Sequence, residues 1–365
     1  MLQMDKILFI SQRVNNAQSG ARMVAERNFQ HCLDIFGQEK TTLISIKKQK
    51  QNFLRKWILR LRGYLDGAKP EDLHECLTLL HDHSYSTVFI DSSYFGIFAQ
   101  RIRNLRPDVR IVCFFHDVLV HWWNQTSKSR GLRYLLYLAL YRHSEHLSCA
   151  FADLRIVLTR RDAETLERIY GPGETHVIPI SVPDSCRHGK GTLDTIMNKP
   201  PLLLFVGTNY GPNIEGLKWF LTEIKPRIHA RIRIVGSGMD SFYDNWRASD
   251  VEIVGRVEDL SGEYAQADAV VIPLFSGSGM KVKTCEAIMQ GKVIFATSEA
   301  LIGYEVDGVC AIFRCETADQ FVDAICSWEA GPQTRFIPEV RELYTRFYSP
   351  SVTLEAYRGV LRPEL

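Results

Sequence analysis

The chain has 365 residues, 45% of them hydrophobic and 24% charged, with a formal net charge of +2. Its length exceeds what a single hydrophobic core usually supports, so two domains are expected, and its composition is ordinary for an α/β protein. The small net charge hides an asymmetry: residues 1–183 hold 25 Lys and Arg against 18 Asp and Glu, whereas residues 184–365 hold 19 against 24, so an anionic partner or surface is expected on the first half.

Met1–Lys6 lacks a basic segment leading into an apolar signal core, and no run of about 18 apolar residues follows. The expectation is a cytosolic chain. Short β-branched and apolar runs then alternate with helical patterns, at Ile7–Ile10, Thr42–Ile46, Thr87–Ile90, Ile111–Phe115, Leu154–Leu158 and Thr175–Ile178. This alternation predicts a parallel sheet wrapped by helices over residues 1–183. Polar residues 184–199 read as a linker. The pattern restarts at Leu202–Val206, Ile232–Val235, Glu252–Val254, Ala269–Ile272, Val293–Ala296 and Cys310–Phe313, giving a second domain over 200–345. A helical pattern, Arg341–Leu361, closes the chain, and 346–365 is expected to pack back on the first domain. Two doubly wound domains leave a cleft, with ligands at the carboxyl ends of their strands. Nine scattered cysteines without a C-x-x-C pair read as reduced thiols.

Several first-half residues are candidates for binding. Gly20 follows the first strand and its loop; it either brings backbone close to a ligand or serves an ordinary strand-to-helix turn. His116 ends a strand, where it can bond a ligand hydroxyl or manage a proton, although a lone histidine is also commonly structural. Asp117 beside it reads as a cap. Over residues 47–62, Phe53 or Leu54, Trp57, Ile58 and Leu61 gather on one helical face, with Arg55, Lys56, Arg60 and Arg62 flanking or opposing it. Such a helix suits an anionic membrane surface, with Trp57 at the interface; the alternative is a core-facing helix with a solvated basic back. Trp122 and Trp123 offer a further apolar contact or a stacking surface for an acceptor sugar. No zinc-finger or RNP-type signature accompanies the basic residues, so nucleic acid is not the expected partner.

In the second half, the apolar strand before Pro273 runs into Phe275-Ser276-Gly277-Ser278-Gly279-Met280-Lys281-Val282-Lys283-Thr284-Cys285-Glu286. Two glycines admit close backbone approach, the following helix N-terminus adds roughly half a positive charge, and Lys281 and Lys283 add two full ones. Glu286, within the first turns of the helix, can accept hydrogen bonds from vicinal hydroxyls. The stretch therefore reads as a diphosphate cradle with a sugar-reading carboxylate behind it.

Five separated motifs agree in order with a known family. They are Phe205–Asn213 with Trp219-Phe220 and Ile224-Lys225-Pro226, Ile234–Gly238, Val254–Leu260, the glycine-rich element ending in Glu286-Ala287, and Ala296-Thr297-Ser298 with Gly303. Together they resemble the donor half of the retaining glycosyltransferases of family 4, the group 1 type, over about 140 residues. The resemblance implies the GT-B architecture, two Rossmann-like domains facing across a cleft, and a nucleoside-diphosphate sugar as donor. It implies that Lys281 and Lys283 neutralise the departing diphosphate without a metal ion or other cofactor, and that Glu286 holds the ribose. Arg256 and Val257 would meet the base, while Gly207, Thr208, Asn209 and Gly236 would line the cleft. Two departures stand out: Ser278 occupies the place of a second glutamate, whose task would pass to the amides of Gly279 and Met280, and Glu215-Gly216 replaces Lys-Gly. The expected activity is sugar transfer to a hydroxyl of a lipid-linked glycan, in bacterial surface-polysaccharide synthesis such as capsule or lipopolysaccharide, at the inner face of a membrane. A GT-B nucleotide-sugar epimerase and a non-catalytic donor-binding partner of another transferase are the alternatives.

Overall fold

Strands that are apolar along their whole length, instead of alternating, require cover on both faces, and parallel sheets flanked by helices supply it. A computed structural model of the chain describes residues 5–12, 14, 20–47, 52–126, 131–187, 200–331 and 334–362. Most of the loop 12–19, the basic residues 48 and 50, and residues 188–199 of the expected linker lie outside the described residues. Two units emerge, one made of Met1–Pro179 with Thr353–Leu365, the other of Ile180–Val352.

The first unit contains β1 (Lys6–Ser11), β2 (Thr41–Ser45), β3 (Tyr85–Ile90), β4 (Arg110–Phe115), β5 (Leu154–Val157) and β6 (Thr175–Val177). They form one sheet in the order β2-β1-β3-β4-β5-β6, with every pairing parallel. Phe98, Ala99 and Ile102 of the helix Gly96–Leu105 pack on its strands with Val88, Ile90 and Ile111. The last helix, Pro350–Leu361, is bound into this unit through Tyr357, whose hydroxyl donates to Asn28 Oδ1 at 2.8 Å, and through Thr353, whose Oγ1 lies 3.0 Å from His31 Nε2.

The second unit contains β7 (Leu202–Val206), β8 (Arg231–Val235), β9 (Val251–Gly255), β10 (Ala269–Ile272), β11 (Val293–Ala296) and β12 (Ile312–Arg314). Their order is β12-β11-β10-β7-β8-β9, again parallel throughout. The chain starts in the middle at β7, runs outward to β9, then crosses back to β10. The direction of winding therefore reverses between β7 and β10, the place where open α/β sheets bind ligands. Residues ahead of 188 already belong to this unit: Tyr344 donates to the Val182 carbonyl at 2.8 Å, and Ser261 Oγ to that of Ser185 at 2.7 Å.

The helical pattern expected over Arg341–Leu361 is broken. A short helix, Pro338–Leu343, passes into a π-helical turn, Tyr344–Tyr348, and Ser349 is extended (φ −74°, ψ 151°) before the final helix. Pro350 lacks an N–H, and its ring drives the preceding residue out of the helical region. Glycine is indispensable at Gly216 in the helix Gly211–Trp219, because a Cβ there would lie 1.7 Å from the Pro273 carbonyl oxygen. This contact seats the helix after β7 against the end of β10. Gly216→Ala is expected to destabilise the second unit by about 1–3 kcal/mol through overpacking, measurable as an earlier midpoint in urea unfolding; an unchanged midpoint would contradict the close approach.

Candidate active site

The carboxyl ends of β7, β8 and β9 are stitched together by backbone. Gly207 N–H donates to the Val235 carbonyl at 2.9 Å, Asn209 N–H to that of Ser237 at 3.0 Å, and Gly236 N–H to that of Gly255 at 2.7 Å. Gly236 sits at φ +151°, and a Cβ there would fall 1.8 Å from the Gly207 oxygen. Glycine at 236 is what lets the two strand ends meet. The N–H groups of Gly207 and Asn209 are thus engaged in the fold, and what these positions offer a ligand is open floor and, at exposed Thr208 and Asn209, side chains. Arg256 is exposed directly after β9, and Val257 beside it is half-buried.

β10 empties into the glycine loop. Gly277 (φ +142°) and Gly279 (φ +60°) occupy backbone conformations that side chains disfavour. Between them Ser278 is half-buried. Lys281 is turned back into this loop: its Nζ donates to the carbonyls of Gly279 (2.9 Å) and Ser278 (3.3 Å) and to Glu299 Oε1 at 2.9 Å. Tyr304 OH donates to the Lys281 carbonyl at 2.8 Å. Lys281 thereby fixes the loop's shape, whereas the neighbouring lysine reaches elsewhere.

Lys283, near the start of the helix Val282–Met289, extends to the end of β7. Its Nζ donates to Asn213 Oδ1 at 2.7 Å and stands 4.7 Å from the centre of the Phe205 ring. A Cβ at Gly207 would lie 3.0 Å from this ammonium, so the glycine keeps its surroundings open. Glu286, one turn on, is buried and accepts a hydrogen bond from Tyr264 OH at 3.1 Å. Burial pushes the Lys283 ammonium down to about 7, with Glu286 pulling it back up and Lys281 pushing it further down. Burial likewise pushes the Glu286 carboxyl up to about 7, opposed by the Tyr264 hydrogen bond and by Lys283. A cation held against a neutral amide and an aromatic face is weakly neutralised, and an incoming anion is the partner that stabilises it.

In the first unit, His116 follows β4 and is buried against the end of β3, with Nε2 3.1 Å from the Asp91 backbone oxygen and 3.2 Å from its Oδ1. Gly20 is exposed at the first position of the helix Gly20–Phe36. The helix Phe53–Leu61 is capped by Asn52, which accepts from Arg55 N–H at 2.9 Å. Only Leu59 of it is buried; Phe53, Leu54, Ile58 and Leu61 are exposed, as are Arg55 and Lys56, so its apolar face is not spent on the core. Trp57 differs from its expected interfacial place. It is half-buried, its ring centre 5.3 Å from that of Tyr137, with the Arg60 guanidinium 5.2 Å from its own ring centre and 5.0 Å from that of Tyr137. Trp123 stacks on Tyr134 with centroids 6.0 Å apart, and Trp122 lies 6.4 Å from Tyr141, so both are members of an aromatic cluster.

The structure therefore gathers Gly207, Lys283 and Glu286 around the reversal point of the second sheet, with Ser278, Gly279, Met280 and Lys281 in the loop beside them. Phe205 and Asn213, which contact the lysine, bound the first of the five motifs, but that motif does not point to a contact with Lys283; Tyr264, which contacts the glutamate, lies in none of them. Residues 200–329 match the model of the family described as glycosyl transferases group 1. Among curated proteins, no sequence matches the chain. Solved structures are similar along the whole length. Sucrose-phosphate synthase from Thermosynechococcus elongatus has a TM-score of 0.72 at 14% identity, covering 98% of this chain and 98% of its own. HepE from Anabaena, solved in complex with UDP, scores 0.68 at 13% identity, covering 98% and 100%. The lipopolysaccharide outer core galactosyltransferase WaaB scores 0.67 at 15% identity, covering 99% and 100%. The fold is thus GT-B, and with a group 1 domain in its second unit the chain is a glycosyltransferase enzyme.

If Lys283 receives the phosphates of a nucleotide, its contribution to binding is complete below about pH 7, where the ammonium is charged. It is lost as the pH rises above that value, until the proton affinity of the liganded lysine is reached. UDP affinity is expected to fall by up to about tenfold per pH unit above pH 7, as read by titration calorimetry from pH 7 to 9. Lys283→Met should flatten the profile; an equal slope in the variant would remove Lys283 from the anion site.

Proposed function

We propose that the chain transfers a hexose-type sugar from a nucleoside diphosphate to a hydroxyl of a lipid-linked glycan, with retention at the anomeric carbon and without a metal ion. The observation that carries this reading is the Lys283 ammonium, held at the reversal point of the second sheet by Asn213 and Phe205 over a glycine floor. A departing diphosphate develops charge, and a preorganised cation in a poorly solvated place stabilises it. Glu286 receives the ribose hydroxyls, Arg256 and Val257 flank the base, and Lys281 keeps the glycine loop in the shape that admits the phosphates. HepE was also solved with UDP-glucose, which makes UDP-glucose the first donor to test. In the first unit, His116 is assigned to a hydroxyl of the transferred sugar or of the acceptor.

A membrane surface supplies the acceptor in this reading. Phe53, Leu54 and Leu61 are 76%, 69% and 65% exposed on one helix, and Leu132 and Leu135 are 84% and 54% exposed on the helix Leu132–Phe151. The two helices are joined where Trp57 and Arg60 pack on Tyr137. Exposed Arg55, Lys56, Arg62 and Arg133 surround this apolar surface, the pattern of a segment lying in an anionic interface. Surface-polysaccharide synthesis at the inner face of a bacterial membrane is the setting that unites these features. None of the described helices is long and apolar enough to cross a membrane.

Transfer from UDP-sugars, GDP-sugars and other donors, after a thermal-shift panel selects the binders, tests the activity. Lys283→Met is expected to lower kcat/KM roughly 10²- to 10³-fold, and Lys281→Met less, through the loop. Isomerisation of donor alone, with no transfer or donor hydrolysis, would overturn the transferase reading. Vesicle co-sedimentation checks the surface. Replacing Phe53, Leu54 and Leu132 with Ser should abolish binding to phosphatidylglycerol vesicles, while wild type should bind them and leave neutral phosphatidylcholine vesicles unbound; wild type that binds neither refutes the membrane assignment.

A further inference from the structure

A buried polar network stands behind His116. Asp91, 1% exposed, follows β3 next to the end of β4. Its Oδ2 accepts from Ser11 Oγ at 2.8 Å, and its Oδ1 accepts from Asn28 Nδ2 at 2.9 Å. The same Oδ1 lies 3.2 Å from His116 Nε2, and the Asp91 backbone oxygen lies 3.1 Å from that nitrogen. A carbonyl and a carboxylate oxygen only accept, so the proton of the neutral imidazole resides on Nε2. Nδ1 is then the acceptor nitrogen. Asn28 is oriented in turn by Tyr357, whose hydroxyl donates to its Oδ1 at 2.8 Å and so directs the amide NH₂ toward Asp91.

We propose that Asp91 is a positioning residue for His116, holding the ring as the Nε2–H tautomer and, by its charge, stabilising the ring whenever it is doubly protonated. The proposal rests on the assignment of His116 given above and deepens it. Among the described residues, Cys32 and Tyr357 also face Asp91, both kept neutral because burial pushes each well above its ordinary range. Beside His116, Asp117 is next in the chain. Glu145, pushed up to about 7 by burial, accepts from Leu119 N–H at 2.6 Å and Val120 N–H at 3.2 Å and thereby seats the turn that follows.

Histidine-selective ¹⁵N NMR of the full chain tests this. Wild type is expected to show His116 as the Nε2–H tautomer. Asp91→Asn keeps the shape and removes the charge, so the affinity of His116 for its second proton should fall roughly tenfold. Asn28→Ala relieves Oδ1 of a competing donor and should move the same affinity in the opposite direction, which general loosening would not do; it also carries the test should Asp91→Asn fold poorly. Identical His116 titrations in wild type and the folded variants overturn the proposal, whatever their activity. A shifted titration together with full UDP-glucose turnover in His116→Ala supports the coupling of Asp91 to His116 and refutes the role given to His116 itself.

Discussion

The second unit is organised around one electrostatic compromise, the seating of the half-buried Lys283 ammonium against a neutral amide. Placing a cation there costs solvation that Asn213 and the Phe205 face recover only in part, and this is why burial lowers its proton affinity. Neighbouring features keep the arrangement intact. Gly216 lets the helix bearing Asn213 lie on the Pro273 carbonyl, Gly207 leaves room beside the ammonium, and Gly236 permits β7 and β8 to end together. Tyr264 OH shares its one proton between Glu286 Oε2 at 3.1 Å and the Lys283 carbonyl at 3.2 Å, so one phenol braces both positions. In the proposed reading, a bound anion would recover the solvation that this arrangement costs.

The two lysines show how alike residues diverge through their surroundings. Lys281 finds Glu299 at 2.9 Å and spends its charge inside the protein. Lys283 points toward β7 and rests on Asn213 Oδ1, with the Glu286 carboxyl acting on it through space. The first unit solves the converse problem: its buried carboxylate, Asp91, collects donors from Ser11 and Asn28 and the ring of His116 on its two oxygens. In both units the candidate residues stand at the carboxyl ends of central strands, the place where open α/β sheets bind ligands.

Much of this was legible in sequence for a physical reason. Strands such as Ala269–Ile272 and Val293–Ala296 are buried at every position, so they appear as unbroken apolar runs between helices. The glycine loop was legible because positive φ demands glycine at 277 and 279. Contacts between distant segments were not. Nothing in the residues around Asn213 announces a bond to a lysine 70 positions away, and Asp91 stands in a loop without a motif. Helical periodicity located the apolar face of Phe53–Leu61 but could not tell that Trp57 would pack on Tyr137. It also ran through Ser349, where the proline that follows breaks the helix.

The central claim is that Lys283 receives the diphosphate of the donor, and a crystal structure of the chain with UDP bound tests it most directly. The account predicts a β-phosphate oxygen within hydrogen-bond distance of Lys283 Nζ, the loop of Gly277 and Gly279 folded around it, and ribose hydroxyls at Glu286. A diphosphate bound away from the ends of β7 and β10, with Lys283 still resting on Asn213 alone, would contradict it.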